Sequence, residues 1–112
     1  EGVVLGVLAD MEGGQTALVT LALLNCGVSP ADPKLAQALE YLKNLPPKKT
    51  YVVGLQNLVF AETREKKYLP LIQKNADWLI AEGIGLRGGD GRLEGWSYPG
   101  NNIADNSNTQ YA

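Results

Sequence analysis

Thr16-Ala17-Leu18-Val19-Thr20-Leu21-Ala22-Leu23-Leu24-Asn25-Cys26-Gly27 carries no charged side chain and no proline. Leu18, Leu21, Ala22 and Leu24 recur at helical spacing, which predicts a helix from Thr16 to Asn25. Gly27 stands where a left-handed residue closes such a helix. A helix that is apolar nearly all round has to be covered on most sides, so this one is expected in an inner layer. A second segment of the same character opens at Thr50, a suitable N-cap. It runs through Val53, Leu55, Leu58, Val59 and Phe60 before its first charge at Glu62.

Each apolar segment is followed by an amphipathic one. Asp32 and Pro33 form an N-cap and first helical position for a helix reaching Asn44, stopped by Pro46 and Pro47. Its Leu35, Leu39 and Leu42 make one stripe, with Lys34, Gln37, Glu40 and Lys43 turned elsewhere. A fourth helix is predicted over Lys66 to Glu82, tolerating Pro70 in its opening turn and ending at Gly83. Leu71, Ile72, Trp78 and Leu79 are its expected buried residues, and Lys74 and Asp77 its wet ones.

The alternation repeats. Leu35-Ala36-Gln37-Ala38-Leu39-Glu40-Tyr41-Leu42 aligns with Ile72-Gln73-Lys74-Asn75-Ala76-Asp77-Trp78-Leu79, an offset of 37. Thr16-Ala17-Leu18 aligns with Thr50-Tyr51-Val52, an offset of 34, and Thr109-Gln110-Tyr111 reads as a third start. Such a period predicts stacked αα-hairpins, each needing neighbours to bury its inner helix. The span 83–105 interrupts the pattern as a Gly-rich connection holding Leu93, Trp96 and Tyr98. Loops of this length are usually functional or pinned by their own side chains.

Composition narrows the chemistry. The 112 residues hold 10 Lys and Arg against 12 Asp and Glu, a net charge of −2, with no run of like charge for tracking phosphates. Nucleic acid is therefore not an expected partner. One cysteine and no histidine leave neither a disulfide framework nor the commonest general base and metal ligand. Cys26 is read as structural, since free cysteines commonly behave as buried small hydrophobes. The longest apolar run falls well short of the roughly 20 residues that span a bilayer. Glu1-Gly2-Val3 at one end and a helix start at the other read as a piece of something longer.

Gly14-Gln15-Thr16-Ala17-Leu18, Leu23-Leu24-Asn25-Cys26-Gly27, Thr50-Tyr51 with Leu55-Gln56, and Trp78-Leu79 together resemble the terpenoid cyclase and protein prenyltransferase superfamily. Gly95-Trp96-Ser97-Tyr98, followed by Asp105-Asn106-Ser107-Asn108-Thr109-Gln110-Tyr111-Ala112, is similar to bacterial prenyltransferase and squalene-oxidase repeat proteins, where a Gly-Trp-x-Tyr loop leads into an inner helix. The resemblance implies an all-α fold of αα-hairpin repeats, part of an α/α toroid, with residues 1–112 as one segment of a larger domain. It does not bring the family's chemistry with it. The Asp-rich acid motif of triterpene cyclases has no counterpart, and Asp105 stands without a second acid nearby in sequence. The histidine of the prenyltransferase zinc site and the Cys-Gly-Glu-Gln thioester motif are also missing.

Other motifs resolve into plain roles. Gly83-Ile84-Gly85-Leu86-Arg87-Gly88 matches a dinucleotide pattern but follows a helix, outside the strand-to-helix setting that pattern requires. Asp90, Glu94 and Asp105 lack the spacing of a calcium loop. Lys48, Lys49, Arg64, Lys66 and Lys67 read as solvated turns.

Candidate ligand-facing residues are Trp96, Tyr98, Asp105, Asn106, Asn108 and Gln110. For the two aromatics the alternative is packing between helix pairs, and for the polar residues it is capping of the last helix. No catalytic residue, metal ligand or cofactor is assigned. The expected function is that of a non-catalytic repeat segment, a scaffold or binding module. Its expected partners are further repeats, another copy, or a protein, glycan or lipid ligand. The alternative is part of a terpenoid-cyclase-like or prenyltransferase-like enzyme whose acid or metal motif lies outside these residues. No compartment is fixed; the bacterial resemblance is compatible with a soluble, extracytoplasmic setting.

Overall fold

The computed structural model describes residues 13–83, 93, 95–97 and 106–112. These residues are mostly helical, with no strand among them. The helices are α1 (Gly14–Asn25), α2 (Pro33–Lys43), α3 (Thr50–Thr63), α4 (Leu69–Glu82) and the short α5 (Asn106–Tyr111), with a 3-10 turn at Lys66–Tyr68. The third helix lies centrally, against α1, α4 and α5, while α2 packs on α1.

Local chemistry sets most of the boundaries. Gly13, at φ +100, supplies the left-handed turn into α1, and its carbonyl accepts from Ala17 N–H at 2.9 Å. At the other end Gly27 N–H donates to Leu24 O and Val28 N–H to Leu23 O, each 3.0 Å, with Gly27 at φ +91. This is a Schellman closure, and Val28 packs back onto the core beside it. Asp32 caps α2, its Oδ1 accepting from the N–H groups of Lys34 at 3.0 Å and Leu35 at 3.4 Å. Leu35, Leu39 and Leu42 are buried as their stripe predicts, while Lys34, Gln37, Glu40 and Lys43 are exposed.

The core joins Ala17 and Leu24 of α1, the three leucines of α2, and Leu55, Val59 and Phe60 of α3, with Tyr68 at its edge. Phe60 and Tyr68 stack with centroids 4.9 Å apart and planes at 13°. Burial raises the Tyr68 phenol above its ordinary pKa; Lys67, 5.3 Å from the ring centroid, pulls the other way.

Several expectations need correcting. Thr50 is the first helical residue of α3, preceded by Lys49 at the cap, because its hydroxyl is engaged elsewhere. The predicted fourth helix divides into the 3-10 turn and α4, with Pro70 in the first turn of α4. Leu71, Ile72 and Trp78 are only half-buried; Asn75 and Leu79 are the buried residues of that helix. Gly83 is extended at φ −65 rather than left-handed, so no left-handed closure calls for glycine there, and a Cβ would collide only with the tip of the Leu93 side chain, which can swing aside. Cys26 is exposed, since the turn out of α1 carries it off the packed face. The first helix, by contrast, agrees with the expectation that an inner helix needs further neighbours and stays exposed without them: Leu18 and Val19 are each 55% and Leu23 42% exposed, and among the described residues α2 and α3 pack against it.

Candidate functional site

The described part of the 83–105 connection closes onto three helices at once. Trp96 N–H donates to Thr109 Oγ1 at 2.9 Å, and the same hydroxyl lies 3.3 Å from Trp96 O as its donor. One residue on, Ser97 is buried and its carbonyl accepts from Thr50 Oγ1 at 3.4 Å. The Trp96 indole reaches the other way, its Nε1–H donating to Leu79 O at 2.6 Å.

This last bond follows from how α4 ends. The final four carbonyls of a helix lack partners within it. Because Gly83 turns into extended backbone, its N–H bonds to Ile80 O at 3.2 Å rather than to Leu79 O. The indole N–H fills the place that a continuing helix would have filled. Trp96 thus ties the end of α4 to α5 and, through Ser97, to the start of α3.

The fifth helix is held close to α3 by a glycine. A Cβ on Gly54 would collide with the backbone oxygen of Tyr111 and lie 2.9 Å from its carbonyl carbon. Tyr51, one turn earlier on α3, meets the Tyr111 ring at a centroid distance of 6.3 Å and a 53° tilt. Tyr51 also bounds the space beside Gly14, where an added Cβ would come within 3.1 Å of its ring. Tyr51 therefore touches the neighbouring helix on each side. Leu58, one turn beyond Gly54, is exposed, as is Tyr111.

Among the predicted ligand-facing residues, Trp96 is half-buried in the clip. Asn108 is buried at the start of α5, next to Thr109. Gln110 is exposed, so the turn of this short helix separates it from Asn108. Asn106 begins α5, and its side chain lies outside the described residues, as do Tyr98 and Asp105. No group of three or more His, Cys, Asp or Glu side chains suited to a metal occurs among the described residues. No helix among them is long and apolar enough to cross a membrane.

A polar seam between α3 and α4 escaped the sequence reading. Asn75 Nδ2 donates to Gln56 Oε1 at 3.3 Å and to Asn57 Oδ1 at 3.0 Å, while Asn57 Nδ2 donates to Ile72 O at 3.3 Å. The signal was available in the adjacent amides Gln56 and Asn57, set within the apolar run from Val52 to Phe60. Residues so placed need partners of their own kind. The Thr50–Ser97 bond left no such mark, because a threonine at a helix start is fully accounted for by capping. No protein-family model, curated protein or solved structure matches the chain.

Proposed function

We propose that the chain is a non-catalytic segment of an α/α repeat array, acting as a scaffold or binding module. In this reading α1, α3 and α5 form the inner row and α2 and α4 the outer one. The observation that carries it is the open side of α1. Leu18, Val19, Ala22 and Leu23 lie on one exposed face, and no residue from Gly14 to Asn25 is charged. An apolar helix face with no charge to keep it wet is chemically suited to a further protein surface. The neighbouring α3 carries the same kind of sequence and has α1 and α5 against it. The partner is accordingly a further repeat or a second copy, and a protein, glycan or lipid ligand would occupy the concave side of the completed array.

The use made of Trp96 supports a structural role for the loop. Its indole N–H is spent on a helix carbonyl and its backbone on Thr109, which fixes the spacing between helices. Sedimentation velocity over a wide dilution series tests the reading. Concentration-dependent association is expected, and it should weaken when Leu18 and Leu23 are both replaced by Lys. A monomer at every concentration, with or without those changes, would overturn it.

A further inference from the structure

The seam amides form a directed chain whose polarity is fixed from one end. The carbonyl of Ile72 can only accept, so the Asn57 atom 3.3 Å from it must be Nδ2. Asn57 then turns Oδ1 toward Asn75, which answers with Nδ2 at 3.0 Å. That same Nδ2 lies 3.3 Å from Gln56, so Gln56 has to present Oε1 there. Its Nε2 is left over. Turning the Gln56 amide around gives no relief, because it would set two donors against each other.

The leftover group is deep inside. Gln56 is 3% exposed, and Nε2 is a buried atom with no hydrogen-bond partner. A buried donor without an acceptor forfeits its hydration with nothing in return, and native interiors seldom carry one. The acceptor has to be neutral, since Gln56, Asn57 and Asn75 supply no charge to hold an ion. It also has to be small and able to donate in return, because each amide oxygen of the seam keeps a second lone pair. Water meets all three requirements, and internal waters ordinarily make two to four such bonds.

We propose that the α3–α4 seam is a binding site for one internal water, accepting from Gln56 Nε2 and held as a permanent part of the fold. The water links the glutamine to the two asparagines and completes the polar crossing between these two helix faces. It acts as a positioning element, setting the rotation of α4 on α3.

Water–amide nuclear Overhauser measurements on the uniformly 15N-labelled full chain provide the test, with rotating-frame spectra to separate dipolar contact from proton exchange. The Gln56 side-chain amide protons are expected to show a dipolar cross-peak to water, with the sign of a molecule held far longer than surface hydration. Gln56→Met should remove the matching water contact at the Asn75 amide while the helical circular dichroism is retained. A wild-type Gln56 amide with no water cross-peak, or one with the sign of transient surface water, would overturn the proposal. Should the methionine variant fail to fold, the wild-type spectrum still decides.

Discussion

The first and third helices are close in composition and differ in company. Neither carries a charged residue before its last turn: α1 has none from Gly14 to Asn25, and α3 none from Thr50 to Ala61. In α3, Val52, Val53, Leu55, Val59 and Phe60 are all buried, whereas α1 buries Ala17 and Leu24 and leaves Leu18, Val19 and Leu23 to solvent. The same apolar chemistry therefore has two outcomes, and the difference is the number of elements packed alongside. Among the described residues, α3 packs mainly against α1, α4 and α5, whereas α1 packs mainly against α3 and α2.

The widest gap between the two helices should appear in truncation energies. Phe60→Ala removes a ring that is 1% exposed and stacked on Tyr68, and should destabilise the protein by about 3–5 kcal/mol. Leu18→Ala removes a comparably greasy group from the open face of α1, and at dilutions where the chain is monomeric should change stability by no more than about 0.5 kcal/mol. Urea unfolding of both variants checks the contrast. Equal losses would mean that the open face of α1 is covered in solution.

The elements were legible in the sequence to the extent that each was encoded by its own residues. Asp32-Pro33 fixed one helix start, Gly27 one helix end, and the leucine stripe of α2 its buried side, because caps and periodicity act over a few residues. Gly83 shows where that reading stops. A glycine after a helix ordinarily signals a left-handed turn, but here the backbone is extended at φ −65 and the group beside it is the Leu93 side chain, ten positions away. Trp78, Leu71 and Ile72 stop at half-burial because burial depends on which elements arrive from elsewhere in the chain. The site was less legible than the helices. Trp96 could be singled out as an aromatic in a Gly-rich loop, yet its partners Leu79 and Thr109 stand 17 and 13 residues distant.

A smaller change can make α3 resemble α1. Gly54→Ala favours the helix by about 1 kcal/mol on propensity alone. Its new methyl group, however, would meet the backbone of Tyr111, which cannot swing aside as a side-chain tip can. The expected net result is a loss of about 1–3 kcal/mol, as for other overpacked contacts, with α5 lifted from α3. Hydrogen exchange at Ala112 N–H, which donates to Asn108 O at 3.0 Å, should accelerate while exchange in α2 stays unchanged. A stabilised variant with α5 exchange unaltered would mean that α5 does not cover this flank.

The mildest test acts on the indole alone. Trp96→Phe keeps a ring in the loop and leaves the backbone bonds to Thr109 and the Ser97 carbonyl bond to Thr50 in place. It removes only the donor to Leu79 O, a bond worth about 0.5–1.5 kcal/mol net in a typical protein setting. The carbonyl left behind sits at a helix end beside a half-buried side chain, where water can take the donor's place, so the loss should fall toward the lower end of that range. The effect should also be local: the end of α4 frays, raising exchange at Gly83 N–H, whose bond to Ile80 O belongs to the same last turn. If the loop instead holds α5 on α3 through the indole rather than through Thr109, α5 will exchange faster as well. That result would place the far boundary of α3 under the control of a single N–H, and the contrast with the open flank of α1 would rest on one hydrogen bond.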